Sequence, residues 1–265
     1  MPADSGSNPS ASGPAPGADP PFTALLLAAG LGKRMNSDLP KVLHPALGTP
    51  LIGHVLGRLA PLHPDRVVVV VGHREELVRE ALRGRGVRFV TQSPQLGTGH
   101  AVQMAWAETG PGAPTVLVLA GDMPLVRTAS LRRLLVRHSD ERNAVTVLSA
   151  ELDDPAGYGR VIRGPDGAFR KIVEEKDATP EERAVREVNS GIYCFAKDRL
   201  QEALGQLRAD NAQKEYYLTD TLEILRRRGE RVGVERAADP RECFGVNTPD
   251  QLRMVEETLR AWGEG

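Results

Sequence analysis

The sequence predicts an α/β fold, a doubly wound and mostly parallel sheet, and three observations predict it. Residues 67–71 are a continuous β-branched run, as expected of a parallel strand buried on both faces, and 87–91, 116–120 and 144–148 look similar. The gaps between these runs hold stretches of helix length, giving a strand-helix alternation. The first apolar run, 22–27, empties into a turn of small residues followed by cations. In an open α/β sheet that is where a ligand sits.

Residues 22–27 are the first strand. Thr49 and Pro50 read as an N-cap and a proline at the first helical position, opening a helix to about Leu59. After the strand at 67–71, helices fit 73–82, 98–108 and 128–138. The second half changes character. Residues 159–163, the turn Gly164-Pro165-Asp166-Gly167 and residues 168–174 read as an inserted hairpin. Residues 188–195 are a further strand, followed by helices at about 197–207 and 217–227. Thr248-Pro249 repeats the Thr-Pro start and opens a helix over 250–262.

The 265 residues are 40% hydrophobic and 26% charged, an ordinary globular composition with room for one large domain or two small ones. A net charge of −1 gives no basic field, so no nucleic-acid partner is expected. No apolar run reaches the length of a membrane span, and a cytoplasmic location is the default. Cys194 and Cys243 stand alone in apolar surroundings and read as core residues, not as a disulfide or a zinc pair. Residues 1–21 are almost all small residues and proline, and read as a disordered tail without the features of a secretory signal. No specific protein partner is evident.

Residues 27–35 read L-A-A-G-L-G-K-R-M, with P-K at 40–41. Ala28, Ala29, Gly30 and Gly32 leave backbone N–H groups open to an anion, and Lys33, Arg34 and Lys41 add charge where a polyphosphate would lie. Met35 stands where a dinucleotide fingerprint has its third glycine, and Arg34 where a Walker loop has Ser or Thr, so both are excluded. Residues 92–101 read Q-S-P-Q-L-G-T-G-H-A. Gln92 offers a donor and an acceptor suited to a pyrimidine edge, while Gly97 and Thr98 sit at a helix start with outward N–H groups. Gly121-Asp122 places a carboxylate behind a glycine at a strand end, a natural Mg²⁺ ligand, and Asn247 offers an amide oxygen before the last helix. Gly159 (in D-P-A-G-Y-G-R), Glu174 (in V-E-E-K-D-A-T) and Asn189 (in V-N-S-G) supply a turn, a carboxylate and an amide that could recognise a sugar. Singly, these read equally as a capped loop, a turn or a charge run.

In their order, L-x-A-G-x-G-x-R-M…P-K and Q-x-x-x-L-G-T-x-H-A resemble the signatures of the sugar-nucleotide pyrophosphorylases, a nucleotidyltransferase family. Within it, S-D-L-P-K-V-L-H, D-P-A-G-Y-G-R, V-E-E-K-D-A-T and E-Y-Y-L-T-D look like the uridylyltransferase domain of the bacterial bifunctional N-acetylglucosamine-1-phosphate uridyltransferase/glucosamine-1-phosphate acetyltransferases. The resemblance covers nearly all of 22–262. It implies a Rossmann-like nucleotidyltransferase fold with a nucleotide-binding half at about 22–150 and a sugar-binding half at about 151–265. It implies that Leu27, Ala28, Ala29, Gly30, Gln92, Gly97 and Thr98 hold uridine, with Gly121 beside them. Arg34 and Lys41 contact phosphates, Asp122 and Asn247 hold Mg²⁺, and Gly159, Glu174, Asn189, Tyr217 and Thr219 hold the sugar. The substrates implied are UTP and N-acetylglucosamine 1-phosphate. Ala120 departs from members with an aromatic before Gly-Asp, and no hexapeptide turns that would build the acetyltransferase β-helix occur. The alternatives are a sister enzyme making UDP-glucose or a dTDP-sugar, and a non-catalytic nucleotide-sugar-binding regulator.

Overall fold

A computed structural model of the protein describes residues 19–263. The tail expected over 1–21 falls outside them up to position 18. Within them, Asp19 accepts hydrogen bonds from Arg132 Nε at 2.8 Å and Nη2 at 3.1 Å.

Strand β1 (Phe22–Leu27) leads through short 3₁₀ turns at Lys33–Met35 and Lys41–Leu43 to the two-residue pair β2 (Pro45–Ala46) and β3 (Thr49–Pro50). There follow α1 (Leu51–Leu59), β4 (Arg66–Val71), α2 (Glu75–Ala81), β5 (Arg88–Thr91), α3 (Thr98–Ala105), β6 (Thr115–Ala120) and α4 (Thr128–Asp140). The second half adds β7 (Val145–Glu151), β8 (Arg160–Arg163), β9 (Phe169–Val173), α5 (Pro180–Arg183) and β10 (Glu187–Ala196). It ends with α6 (Lys197–Leu204), α7 (Asp220–Arg227), β11 (Val232–Arg236) and α8 (Pro249–Ala261).

The main sheet has the order β11-β7-β10-β6-β1-β4-β5. β1 pairs in parallel with β4 and β6, β4 with β5, and β7 with β11, whereas β10 runs antiparallel between β6 and β7. The β8–β9 hairpin hangs from β10 through the pair Val188–Arg160. Alternate residues of the central strands feed two cores. Leu26, Val69 and Leu117 pack with α1, α2 and α4 on one face. Leu25, Val68 and Val118 pack with α3, α6 and α7 on the other. Burial on both faces is why these strands read as unbroken apolar runs. A third cluster joins α8 (Val255, Leu259) and Val246 to Met35, Ala46 and Leu51, fastening the last helix beneath the glycine turn.

Some boundaries differ from the sequence reading. Thr49 does not cap α1: Thr49 and Pro50 pair with Ala46 and Pro45, and Leu51 N–H donates to His44 O at 3.1 Å instead. Helix α2 starts at Glu75, α6 stops at Leu204, and α7 starts only at Asp220. Thr248 does cap α8, accepting from Gln251 N–H at 3.2 Å. Among the described residues no helix is long and apolar enough to cross a membrane, and both cysteines are buried and free.

Candidate active site

A cleft of about 680 Å³ opens along the carboxyl edge of the sheet. Of the residues singled out in the sequence it is lined by Leu27, Ala28, Ala29, Gly30, Lys41, Gln92, Gly97, Thr98, Asp122, Glu174, Asn189 and Thr219. The topology explains the gathering. β1, β5 and β6 deliver the residues that follow their C-termini. β10 runs the other way, so Asn189 near its beginning reaches the same edge.

The loop after β5 contributes Gln92, Gly97 and Thr98 to the cleft. Gln92 is only 4% exposed, and its amide nitrogen donates to Gly97 O at 2.9 Å and lies 3.1 Å from His100 Nδ1. Gly97 has φ +106, and a β-carbon there would stand 2.7 Å from Tyr216 O, so only glycine fits. Thr98 Oγ1 accepts from Leu218 N–H at 3.0 Å. Its hydroxyl therefore latches the loop to a later segment.

Three distant parts of the chain meet at Lys41. The Lys41 ammonium contacts the Asp122 carboxylate and donates to Asn247 Oδ1 at 2.9 Å. Arg34 Nη2 donates to the same oxygen at 3.0 Å. Gly32, at φ +60, bends the chain so that this can happen; a β-carbon there would lie 3.0 Å from Lys41 Cβ. The Val246 N–H donates to Asp122 O at 3.0 Å, holding the two segments in register. A carboxylate and an amide oxygen thus converge on one point that a cation already occupies. Such a hard-oxygen pair fits a divalent ion that takes its remaining ligands from water and phosphate. No cluster of three or more acidic, His or Cys ligands occurs among the described residues.

The lining around Glu174 is acidic. Glu174 Oε1 accepts from the Thr219 hydroxyl at 3.0 Å. Burial pushes its carboxyl above the ordinary range, partly offset by that hydrogen bond and reinforced by Asp220, Asp177 and Glu215. Gly159 O accepts from Asn189 N–H at 2.8 Å, and a β-carbon on Gly159 would lie 3.4 Å from Glu174 Oε2. Gly159 therefore sits under the lining rather than in it. Gly121 does likewise, donating to Leu27 O at 2.9 Å. Arg34 and Asn247 stand at the cleft's margin, joined to it through Lys41. Tyr217 does not line the cleft; it is buried and its hydroxyl donates to Asp177 Oδ2 at 3.3 Å.

The cleft also holds residues the sequence reading did not single out. Gly191 and Tyr193 line it beside Asn189, and Asn189 Nδ2 donates to the Tyr193 hydroxyl at 2.7 Å. The register slips between Asn189 and Tyr193, and Gly191 has φ +81, so strand alternation alone does not place the three together. Gln95, Gln213 and Glu215 line it from loops without any periodicity. Residues 211–219 form a strap across the cleft. Tyr216 exchanges bonds with Leu96 O and Gly99 N–H, both at 2.8 Å, on one bank. On the other, Ala212 N–H donates to Asp177 Oδ1 at 2.9 Å and Gln213 Oε1 accepts from Lys176 at 2.8 Å.

Residues 24–224 match the MobA-like NTP transferase domain family. Among curated proteins, the chain is 45% identical over 239 residues to the "Bifunctional protein GlmU" of Syntrophomonas wolfei subsp. wolfei, covering 90% of this chain and 53% of that protein. The protein of the same name from Streptococcus mutans serotype c is 47% identical, over 89% of this chain and 51% of its own length. That from Corynebacterium aurimucosum is 48% identical, over 89% and 52%. The chain spans about half the length of the curated relatives it matches. Among solved structures, one described as a glucose-1-phosphate thymidylyltransferase from Bacillus anthracis superposes with a TM-score of 0.74 at 19% identity, covering 90% of this chain and 95% of that one. That likeness shows the nucleotidyltransferase-like α/β fold. The motifs, the fold and these matches agree: the chain belongs to the MobA-like NTP transferase domain family, the nucleotidyltransferase class that its motifs resemble.

Proposed function

We propose that the protein transfers uridylyl from UTP to N-acetylglucosamine 1-phosphate, giving UDP-N-acetylglucosamine and pyrophosphate for cell-envelope precursor synthesis. The observation that carries the reading is the gathering of three groups at one cleft. They are Gln92, Gly97 and Thr98 of the loop after β5, Lys41 with Asp122 and the adjoining Asn247, and Glu174, Asn189 and Thr219. On this reading 22–150 is the nucleotide half and 151–265 the sugar half, and the partners are small molecules.

Glu174 accepts sugar hydroxyl hydrogens, and Asn189 and Thr219 fix the ring. The sugar phosphate is already an anionic nucleophile, so no general base is required. Its oxygen bonds to the α-phosphorus while the bond to the β-phosphate oxygen breaks, and pyrophosphate leaves with that electron pair. Asp122 and Asn247 would hold Mg²⁺, which supplies charge neutralisation at the triphosphate. Arg34 and Lys41 stabilise charge growing on the leaving group, and the backbone of 28–30 aligns the nucleotide.

The test is pyrophosphate release with and without Mg²⁺. UTP with N-acetylglucosamine 1-phosphate should exceed UTP with glucose 1-phosphate or glucosamine 1-phosphate by at least ~100-fold in kcat/KM, because an unpaired acyl-binding group is costly. Equal use of glucose 1-phosphate, or a preference for dTTP, would make it a sister enzyme. Binding of UDP-sugars without pyrophosphate release would make it a regulator.

A further inference from the structure

We infer that His100 is a positioning residue that fixes the sense of the Gln92 amide and thereby sets the choice of pyrimidine. The inference rests on the uridine reading of the cleft given above. An amide NH₂ has two hydrogens and its carbonyl has none. Gly97 O can only accept, so the group 2.9 Å from it is the Gln92 nitrogen, and one hydrogen is committed there. The same nitrogen lies 3.1 Å from His100 Nδ1. That contact is bonding only if Nδ1 carries a lone pair and accepts the second hydrogen, with the imidazole proton on Nε2. Gln92 then has no hydrogen left to offer a ligand. Gln92 lines the cleft, and what remains for a ligand there is the carbonyl oxygen alone.

Set opposite N3, away from the cytosine amino group, a lone acceptor reads pyrimidines asymmetrically. Uracil presents a donor at N3 and is bound. Cytosine presents a bare N3 and is repelled by the facing lone pairs. Without His100, the second Gln92 hydrogen is unclaimed, and a small rotation about the Gly97 bond offers it to a ligand acceptor. His100 therefore acts by removing a donor from the site. It is well placed for this: Gly97 precedes α3, His100 lies in its first turn, and the ring is supported by Tyr216 at 6.4 Å between centroids.

Two variants separate this role from packing. Asparagine at 100 carries an oxygen near the place of Nδ1 and accepts the same hydrogen. Leucine keeps bulk and loses the acceptor. His100 is half-buried, so neither variant should prevent folding. For the intact chain with N-acetylglucosamine 1-phosphate and Mg²⁺, the ratio of kcat/KM for UTP over CTP is measured, together with the dissociation constants of both nucleotides by calorimetry. His100→Leu should lower the ratio by about tenfold or more, the effect of one hydrogen bond whose loss frees a buried donor. His100→Asn should hold it within about threefold of the parent. A ratio unchanged in His100→Leu, or lost equally in both variants, overturns the inference while leaving the uridylyltransferase reading intact. A parent protein that does not prefer UTP to CTP overturns the uridine reading itself.

Discussion

Lys41 contacts both Asp122 and Asn247, so removing either oxygen affects more than one ligand. Without the Asp122 charge, Lys41 and Arg34 would crowd around one neutral oxygen. Asp122→Asn and Asn247→Ala are each expected to lower turnover by ~100-fold or more at saturating Mg²⁺, a loss of ~3 kcal/mol in charge stabilisation. Steady-state rates near those of the parent would remove the residue from the cation locus. Gly159 tests the proposed sugar contacts. Its missing side chain faces Ile172 Cγ2 at 3.3 Å and Glu174 Oε2 at 3.4 Å. Gly159→Leu must displace the Glu174 or Asn189 side chain, so the preference for N-acetylglucosamine 1-phosphate over glucose 1-phosphate should shrink by about tenfold while KM for UTP holds. A preference left untouched would place the acyl group elsewhere. Most of these residues were legible in the sequence because each sits in a short motif. Tyr217 reads as a sugar ligand from its motif, whereas the structure sets it beside the cleft, and nothing local tells that Asp177 holds its hydroxyl. Tyr193 was hidden in a strand that reads as core.

The strap at 211–219 is where local pattern fails most. It has almost no regular structure, and its position is set by partners at Leu96, Thr98 and Gly99 more than a hundred residues earlier. Gly99 lies under it, with Leu207 Cδ1 and Tyr216 O at 2.4 and 2.9 Å from a β-carbon built there. Gly99→Ala should therefore destabilise the protein by ~1–3 kcal/mol and lower its thermal midpoint by roughly 2–10 °C, read by calorimetry. An unchanged midpoint would mean that the strap yields freely. The parallel strands were readable because burial on both faces makes each a run of apolar residues. β11 was not. Val232–Arg236 is short, contains a glycine and ends in charge, and it is a strand only because β7 supplies the ladder, with Val234 opposite Val147. The direction of β10 was equally invisible, since a residue pattern carries alternation but no sense of direction. α5 could have been found, for Thr179 and Glu182 form a reciprocal capping box.

Stability of the whole protein should carry the mark of His138. It is 4% exposed, its Nδ1 lies 3.1 Å from Thr146 Oγ1, and burial pushes its pKa down to about 4. The unfolded chain takes up this proton first, so the contribution is whole above about pH 6.5 and is lost as pH falls towards 4, by up to about 3 kcal/mol. Asp220 acts oppositely. Burial and the Glu223 and Asp177 carboxylates raise it to about 6, so its contribution is present at low pH and lost as pH rises through 6. The difference between parent and His138→Gln isolates the histidine: the variant should gain on the parent steadily from pH 6.5 to 4 in denaturant titrations. Parallel curves would show that the ring is hydrated. The cation locus has a consequence in time as well as in space. Arg34 and Lys41 leave the ribosome before their partner Asn247, which lies 213 and 206 residues further on, and α8 fastens the glycine turn only afterwards. A nascent chain thus carries the glycine turn for more than two hundred residues without the oxygen that completes this contact. Chains arrested before residue 247 are expected to release no pyrophosphate from nucleotide, measurable on stalled ribosomes. Activity at an earlier arrest point would show that the loop needs no closing partner. On the proposed reading, nucleotide chemistry then begins only once both sides of this contact have been made.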